Sequence, residues 1–525
     1  MPPLSPFARQ QRRRAAAVPG LLALLLVAGC ASEPAPGPKR PAAPERRLES
    51  LQPPAPPAAA APSKRIADSR FAAGQVGYVV RDLTSGRVVA QHNPDRRFIP
   101  ASLTKIATGI AALETLGGDH RFVTRVASGA RVADGQVRGD LALMGGSNPL
   151  LATRDLMTLC QRLRARGVTG IAGELIVDDS GGVRRRAINR RQPPDAAYNP
   201  ALSPLSVNFN RVRLVHRLGA SGESVTAYSV PPLPGIELAL GQAGRTAADG
   251  PWTPKVRRRG VTWRLDPATA EPGSAWVPLK RPARAAGALF RRMCAGAGVT
   301  LPEPEAGNAP AEARTLAAHR SEPVAAIVAA MFEHSNNLVA ELLGGATSQA
   351  MTGRTLSLPQ SSATINQWWR QTLPEMRWRG FAPRNHSGLT AAGRATPAQV
   401  AAMLNYAAER TYATAAGEQR GIRGLLPVSG SAGALGGRLD APGTALRVWG
   451  KTGTMHFASG LAGYMRTTSD RDLAFAVMIT DRKARKRYDA RRRGGGEVDP
   501  QRLAAWREAA KDLEADLVRA WLTAL

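Results

Sequence analysis

Apolar positions change their period several times along the chain, and each change predicts an element. Residues 76–83 and 87–91 are two short apolar-rich runs separated by Thr84, Ser85 and Gly86, the spacing of a β-hairpin whose glycine supplies a positive φ. From Ser102 to Leu113 the period becomes helical, opened by a serine. Between 121 and about 310, short apolar strands alternate with loops, with one helix near 156–163. Residues 323–343 are again apolar at helical spacing, but His334, Ser335, Asn336 and Asn337 interrupt them. The run 448–454 reads as a strand with glycines flanking Lys451. Over 501–525, Leu503, Trp506, Leu513, Leu517, Trp521 and Leu525 form one apolar helical face, which predicts packing on a sheet.

The N-terminal pattern predicts an address rather than structure. Arg9, Arg12, Arg13 and Arg14 precede an apolar run at 21–28, too short to span a bilayer, as a secretory signal does. Val27, Ala28, Gly29 and Cys30 resemble the bacterial lipobox, which implies cleavage after residue 29 and lipidation of Cys30. Acylation by two or more chains suffices for stable anchoring. Ala31 after that cysteine favours the outer membrane by the same resemblance. Residues 31–63 hold 10 Pro and 9 Ala without a hydrophobic period. Such a tether reaches roughly 100 Å at about 3.1 Å per residue. Domain boundaries follow as 1–29 signal peptide, 30–63 lipidated tether, and a folded region from 64 onward.

Composition narrows the classes. A chain of 525 residues, 43% of them hydrophobic, with 52 Gly, is globular and long enough for several domains. No apolar run is long enough for a polytopic membrane protein. Beyond Cys30 only Cys160 and Cys294 remain, each on an apolar helical pattern, and either buried thiols or one bridge fits them. The net charge is +31. Basic runs at 184–186, 257–259 and above all 482–493, where 8 of 12 residues are basic, read either as solvated loops or as contacts to an anionic cell-envelope polymer. Export argues against nucleic acid as the partner.

Chemistry enters through the lysines. The chain has nine, against 62 arginines, and Lys105 alone follows a serine by three residues. On a helix Ser102 and Lys105 share a face, so the amine can take the hydroxyl proton. A plain N-cap and a solvated lysine are the commoner fate of such a tetrapeptide. Yet a base must be able to lose its proton, which desolvated lysine does and arginine does not. A chain this biased toward arginine nevertheless kept lysine at 105 and at 451. His334 neighbours Ser335 but points elsewhere on a helix.

Taken together, Ser102 with Lys105, Ser335 with Asn337, and Lys451, Thr452 and Gly453 resemble the three motifs of penicillin-binding proteins and serine β-lactamases. The 233 residues from Ser102 to Ser335, against 116 from Ser335 to Lys451, imply domains inserted after the nucleophile helix. This layout is similar to the D-alanyl-D-alanine carboxypeptidase/endopeptidase family, peptidase family S13, the class C low-molecular-mass penicillin-binding proteins. Local runs at 143–150, 171–180, 198–210, 335–343 and 461–464 carry the resemblance further. The chain departs from the family pattern at Asn385–Thr390, where Asp-Gly-Ser-Gly-Leu-Ser is usual. It departs again at Ser147, Asn148 and Pro149, where Gly-Asp-Pro is usual. Asn148 reads as a turn-capping side chain in place of aspartate.

The resemblance implies an α+β fold: a transpeptidase-like domain, an antiparallel sheet flanked by helices, from 64–120 and 311–525. One or two small β-rich domains at 121–310 are inserted into it. It implies Ser102 as nucleophile, Lys105 as base, Ser335 as proton relay, and Asn337 as a substrate ligand that also positions Lys105. It further implies Lys451 and Thr452 for a terminal carboxylate, Gly453 admitting the substrate strand, and Thr454 with Ser102 as backbone oxyanion donors. Partners are peptidoglycan peptides and β-lactams. No cofactor is expected, since no metal or nucleotide motif is present. A serine β-lactamase and a non-catalytic peptidoglycan-binding lipoprotein are the rival classes. The former lacks a Glu-x-x-x-Asn between 338 and 450, and the latter is opposed by the intact motifs.

Overall fold

The computed structural model describes residues 62–525 apart from 219–224, 234–235, 241–251, 257–260, 266–272, 415–416, 432 and 494–498. The signal segment, Cys30, the tether to residue 61 and the arginines of 257–259 lie outside the described residues. Ten helices occur among the described residues. They are α1 (Pro62–Asp68), α2 (Thr104–Leu116), α3 (Thr153–Ala165), α4 (Pro282–Gly296), α5 (Val324–His334), α6 (Asn337–Thr352), α7 (Leu358–Thr372), α8 (Pro397–Ala408), α9 (Arg482–Arg493) and α10 (Pro500–Ala524). Helix α1 opens at Pro62, so regular structure begins two residues ahead of the expected start of the folded region at 64.

The hairpin Val76–Asp82 and Val88–His92 forms one flank of a five-stranded antiparallel sheet. Asp472–Thr480 pairs with Val76–Asp82, then Ala458–Arg466, and Val448–Met455 closes the far edge. Period two decides what each face buries. Leu473, Phe475, Val477 and Ile479 face one side with Trp506, Leu513, Leu517 and Trp521 of α10. The intervening Ala474, Ala476 and Met478 face the other side, with Ile106 and Ile110 of α2 and Met331 and Phe332 of α5. Small residues on that second face let a helix buried on all sides lie against the sheet. Gly109 makes room in it, because a Cβ there would stand 2.8 Å from the Phe332 ring. The C-terminal helix thus packs where its apolar face predicted.

The inserted region has its own core. Its main sheet runs Pro304–Ala306, Leu175–Asp178, Leu141–Met144, Val123–Ser128, Arg314–Arg320, with mixed strand directions. Two three-stranded sheets follow, Val225–Val230 with Arg211–Leu218 and Gly273–Pro278, and Ile236–Leu240 with Val261–Leu265 and Trp252–Val256. Two readings are corrected here. Strand Arg314–Arg320 pairs with Val123–Ser128 across some 190 residues, a long-range pairing no local pattern reports, so this sheet extends past 310. A second helix, α4, joins α3, and a Cys160–Cys294 disulfide links them over a sequence separation of 134.

The basic run 482–493 is also corrected: it is helix α9, not a loop. Ala484, Arg485 and Tyr488 form a buried stripe on it, and Arg485 pairs with Asp489 one turn on at 2.9 Å. The stripe is only three residues wide in a helix with nine charged residues, which hides its period.

Candidate active site

Three separated segments build the site. Ser102 sits in a 3-10 turn, Ala101–Leu103, that runs directly into α2. Ala101 takes a positive φ of 46° to make that entry. One turn later Lys105 is completely buried. Its Nζ lies 3.0 Å from Ser102 Oγ, 2.8 Å from Asn337 Oδ1 and 2.9 Å from the Ser387 carbonyl. Asn337 Nδ2 donates to the Tyr198 carbonyl at 2.9 Å, which fixes the amide so that its oxygen faces the lysine. Two fixed acceptors and one hydroxyl match a neutral amine: two N–H bonds are taken, and the lone pair is left for the Ser102 proton.

Electrostatics favours that neutral form. Burial holds the Lys105 ammonium well below the ordinary lysine range, and the nearby Lys451 lowers it further, against a partial pull upward from Glu341. Glu341 is itself fully buried on α6. It accepts the N–H groups of His386 and Ser387 at 3.2 and 3.0 Å, and burial pushes its carboxyl up. His386 lies behind it, buried, with Nε2 2.7 Å from Ser361 Oγ, and burial brings it down to about 3. Gly344 clears its space, since a Cβ would fall 2.2 Å from the imidazole.

Ser335 occupies the break between α5 and α6, in left-handed conformation with φ 51°. Asn336 caps α6 by accepting from Val339 N at 3.3 Å, and Asn337 is its first residue. The polar interruption in the apolar pattern is therefore a helix-to-helix corner aimed at the cleft. His334 is exposed on the end of α5 and lines no part of the cavity.

Lys451 lies on the edge strand Val448–Met455, paired with Ala462. It is fully buried, donates to the Thr452 carbonyl at 2.8 Å, and burial alone brings its pKa down to about 7. Gly453 was expected to admit the substrate strand. The space it leaves is instead filled by the turn that carries Ser102, for a Cβ there would stand 2.9 Å from the Pro100 carbonyl and 3.2 Å from Leu103 N. Thr454 is exposed.

A cavity of about 350 Å³ opens over these groups. Ser102, Ser335, Asn337 and Thr454 line it, together with Tyr198 from the inserted region and Tyr488 from α9. Lys105, Lys451, Thr452 and Gly453 lie in the wall behind it. Sequence reasoning missed Glu341, Ser387 and Tyr198 as parts of the site. Glu341 left one signal, a lone acid in the apolar run 338–343. The departing segment 385–390 now has a role, with Asn385 Oδ1 accepting from Gly388 N at 3.0 Å and shaping the turn that presents the Ser387 carbonyl. Asn148 accepts from Leu150 N at 3.0 Å while buried, the turn cap expected of it. Among the described residues no group of three or more His, Cys, Asp or Glu is placed to hold a metal ion.

Comparison with known proteins places this geometry. The chain is 28% identical over 435 residues to the D-alanyl-D-alanine carboxypeptidase of an Actinomadura species, covering 77% of each chain. It is 22% identical over 427 residues to D-alanyl-D-alanine carboxypeptidase DacB of Haemophilus influenzae, covering 77% of this chain and 85% of that one. In fold it resembles the crystal structure of penicillin binding protein 4 from Haemophilus influenzae, with a TM-score of 0.71 at 19% identity over 88% of this chain and 100% of the other. The α+β architecture with inserted domains is therefore that of the penicillin-binding protein. A family model matches residues 58–494, from before the hairpin to the end of α9, and the chain belongs to the D-Ala-D-Ala carboxypeptidase 3 (S13) family.

Proposed function

We propose that this S13 enzyme cleaves D-Ala-D-Ala termini or cross-links of peptidoglycan stem peptides through an acyl-serine, with the following division of labour. Ser102 Oγ attacks the carbonyl carbon as its proton passes to the neutral Lys105 amine. The N–H groups of Ser102 and Thr454 hold the oxyanion. Ser335 passes a proton to the leaving nitrogen as the C–N bond breaks, and water then releases the acyl group. Asn337 orients Lys105, and its side chain also meets the substrate backbone. Lys451, with Thr452 beside it, supplies positive potential for the terminal carboxylate. β-Lactams enter by the same first step and stay as a stable acyl-enzyme.

One observation carries this reading: the buried Lys105 amine stands 3.0 Å from Ser102 Oγ with its other two partners both acceptors. The test is incubation with a fluorescent penicillin. A long-lived label that Ser102→Ala abolishes is the expected result. Rapid loss with turnover makes the protein a β-lactamase, and no label makes it a non-catalytic wall-binding protein.

We further propose that the enzyme works in the periplasm-facing envelope, held by lipid on Cys30, on the outer membrane. The signal-like run 21–28 and the lipobox-like residues 27–30 support this. Cys30→Ser is expected to lose labelling by a radioactive fatty acid, and equal labelling of both forms overturns the anchor. The exposed Lys483, Lys486 and Arg487 of α9 are the proposed contact to an anionic envelope polymer, to be read as retention on purified cell wall at low salt.

A further inference from the structure

The cavity continues past the reacting groups into a second chamber wall that the catalytic assignment does not use. Beyond Thr454 the same cavity is bounded by His456, Phe457, Arg485, Tyr488, Arg492 and, from α10, Trp506 and Arg507. The rings among them pack on one another. The His456 and Tyr488 rings lie 4.7 Å apart, and Phe457 meets Trp506 edge-on at 5.6 Å. The Arg485 and Arg492 guanidinium carbons stand 5.3 and 6.0 Å from the Tyr488 ring.

The arginines differ in what neutralises them. Arg485 is held by Asp489 at 2.9 Å and by the His456 carbonyl, so it is structural. Arg507 shares Glu508 with Lys511, both contacts exposed. Arg492 touches Tyr488 OH at 3.4 Å and has no carboxylate partner among the described residues. The wall therefore carries positive charge in excess of its acids. His456 registers it: burial first, then Arg485, Arg492 and Arg507, bring its pKa down to about 4, so the imidazole stays neutral and adds a flat face rather than charge.

Position along the edge strand says which part of a ligand arrives there. On the functional reading above, on which this inference rests, the terminal carboxylate sits by Lys451 and Thr452 and the scissile carbonyl by Thr454. A peptide laid along the strand then sends its amino-side residues toward 456 and 457. At about 3.3 Å per residue, the second residue back from the acylated one lies roughly 7 Å farther on, at the arginine wall. We infer that Arg492, beside the Tyr488 ring, and Arg507, on the same cavity wall, form a subsite for a free carboxylate carried by the substrate two residues to the amino side of the acylated residue.

Two peptides test it: γ-D-glutamyl-L-lysyl-D-alanyl-D-alanine with the glutamyl α-carboxylate free, and the same peptide with that group as a carboxamide. The native enzyme is expected to favour the carboxylate by tenfold or more in kcat/KM, with the preference shrinking as salt rises. In Arg492→Gln/Arg507→Gln the preference should fall to near unity by loss of the carboxylate peptide alone, with the carboxamide peptide as internal standard. Equal rates for the two peptides on the native enzyme, or equal losses on the variant, overturn the subsite while leaving the peptidase reading standing. An enzyme that cleaves neither peptide and takes up no penicillin overturns both.

Discussion

Lys105 and Lys451 are both fully buried and both hold their protons less tightly than an exposed lysine, yet their surroundings differ in kind. At the Lys105 end, three partners from three segments converge on one nitrogen, and a buried carboxylate on α6 stands behind it. At the Lys451 end, the amine has one hydrogen bond among the described residues, to the carbonyl next in sequence. The first arrangement aims the nitrogen at the Ser102 hydroxyl. The second fixes little beyond where a charge resides. Burial alone thus does not distinguish the two lysines; the number and type of acceptors does, and the proposed roles of base and electrostatic anchor rest on that difference.

The sharpest way to break this comparison is to exchange each lysine for arginine. Lys105→Arg is expected to abolish penicillin acylation, because a guanidinium stays protonated and cannot receive the Ser102 proton. Lys451→Arg keeps its charge and should retain measurable acylation with weaker apparent affinity. A gap of two or more orders of magnitude in acylation rate, about 2.7 kcal/mol in barrier, supports the division. Equal losses erase it.

Glu341→Gln sharpens the Lys105 side alone. The variant offers one oxygen to two backbone N–H groups, so thermal or denaturant unfolding should show about 1–3 kcal/mol of lost stability. Its charge also raises the Lys105 pKa, so removing it should move the acid limb of the acylation rate to lower pH. A limb that stays in place while stability falls makes Glu341 structural only.

On the Lys451 side the effect is smaller and appears in binding. With a pKa of about 7, its charge is lost as pH climbs through neutrality, so KM for a peptide ending in a carboxylate should rise several-fold above pH 7. A peptide ending in an amide should not show this rise, and Lys451→Arg should flatten it. A rise of the same size with the amide assigns the pH effect elsewhere.

A further change is expected in the fold itself. Between about pH 7 and the ordinary lysine range the unfolded chain holds protons that native Lys451 has released, so stability rises with pH across that window. Lys451→Met should remove that part of the slope in unfolding titrations.

What the sequence made legible follows from this contrast. Ser102, Lys105, Ser335, Asn337 and Lys451 announced themselves as residue types out of place: scarce lysines, and polar side chains interrupting an apolar helix. The structure brings all of them to one cleft. The Ser387 carbonyl left no such mark, because a main-chain acceptor supplied from 282 residues away is a property of the path and not of a side chain. The same holds for strand Arg314–Arg320, which lies beyond the boundary the local pattern suggests for the insertion. Its partner lies far away in sequence, and its own pattern, exposed at both ends, says only that it is a strand. Helix α9 was hidden by its charges, since its three buried positions make sense only against His456 and Phe457.

The bridge between Cys160 and Cys294 has a consequence for what a protease can do to the molecule. It turns the stretch between α3 and α4 into a covalently closed ring. A protease that nicks the chain once, anywhere from 161 to 293, produces two polypeptide pieces that remain one covalent molecule, each still holding its part of the cleft: Ser102 on the first, Ser335 and Lys451 on the second. Such a nicked enzyme runs as one covalent species on a denaturing gel until a reductant is added, and only then do Ser102 and the residues it faces part company.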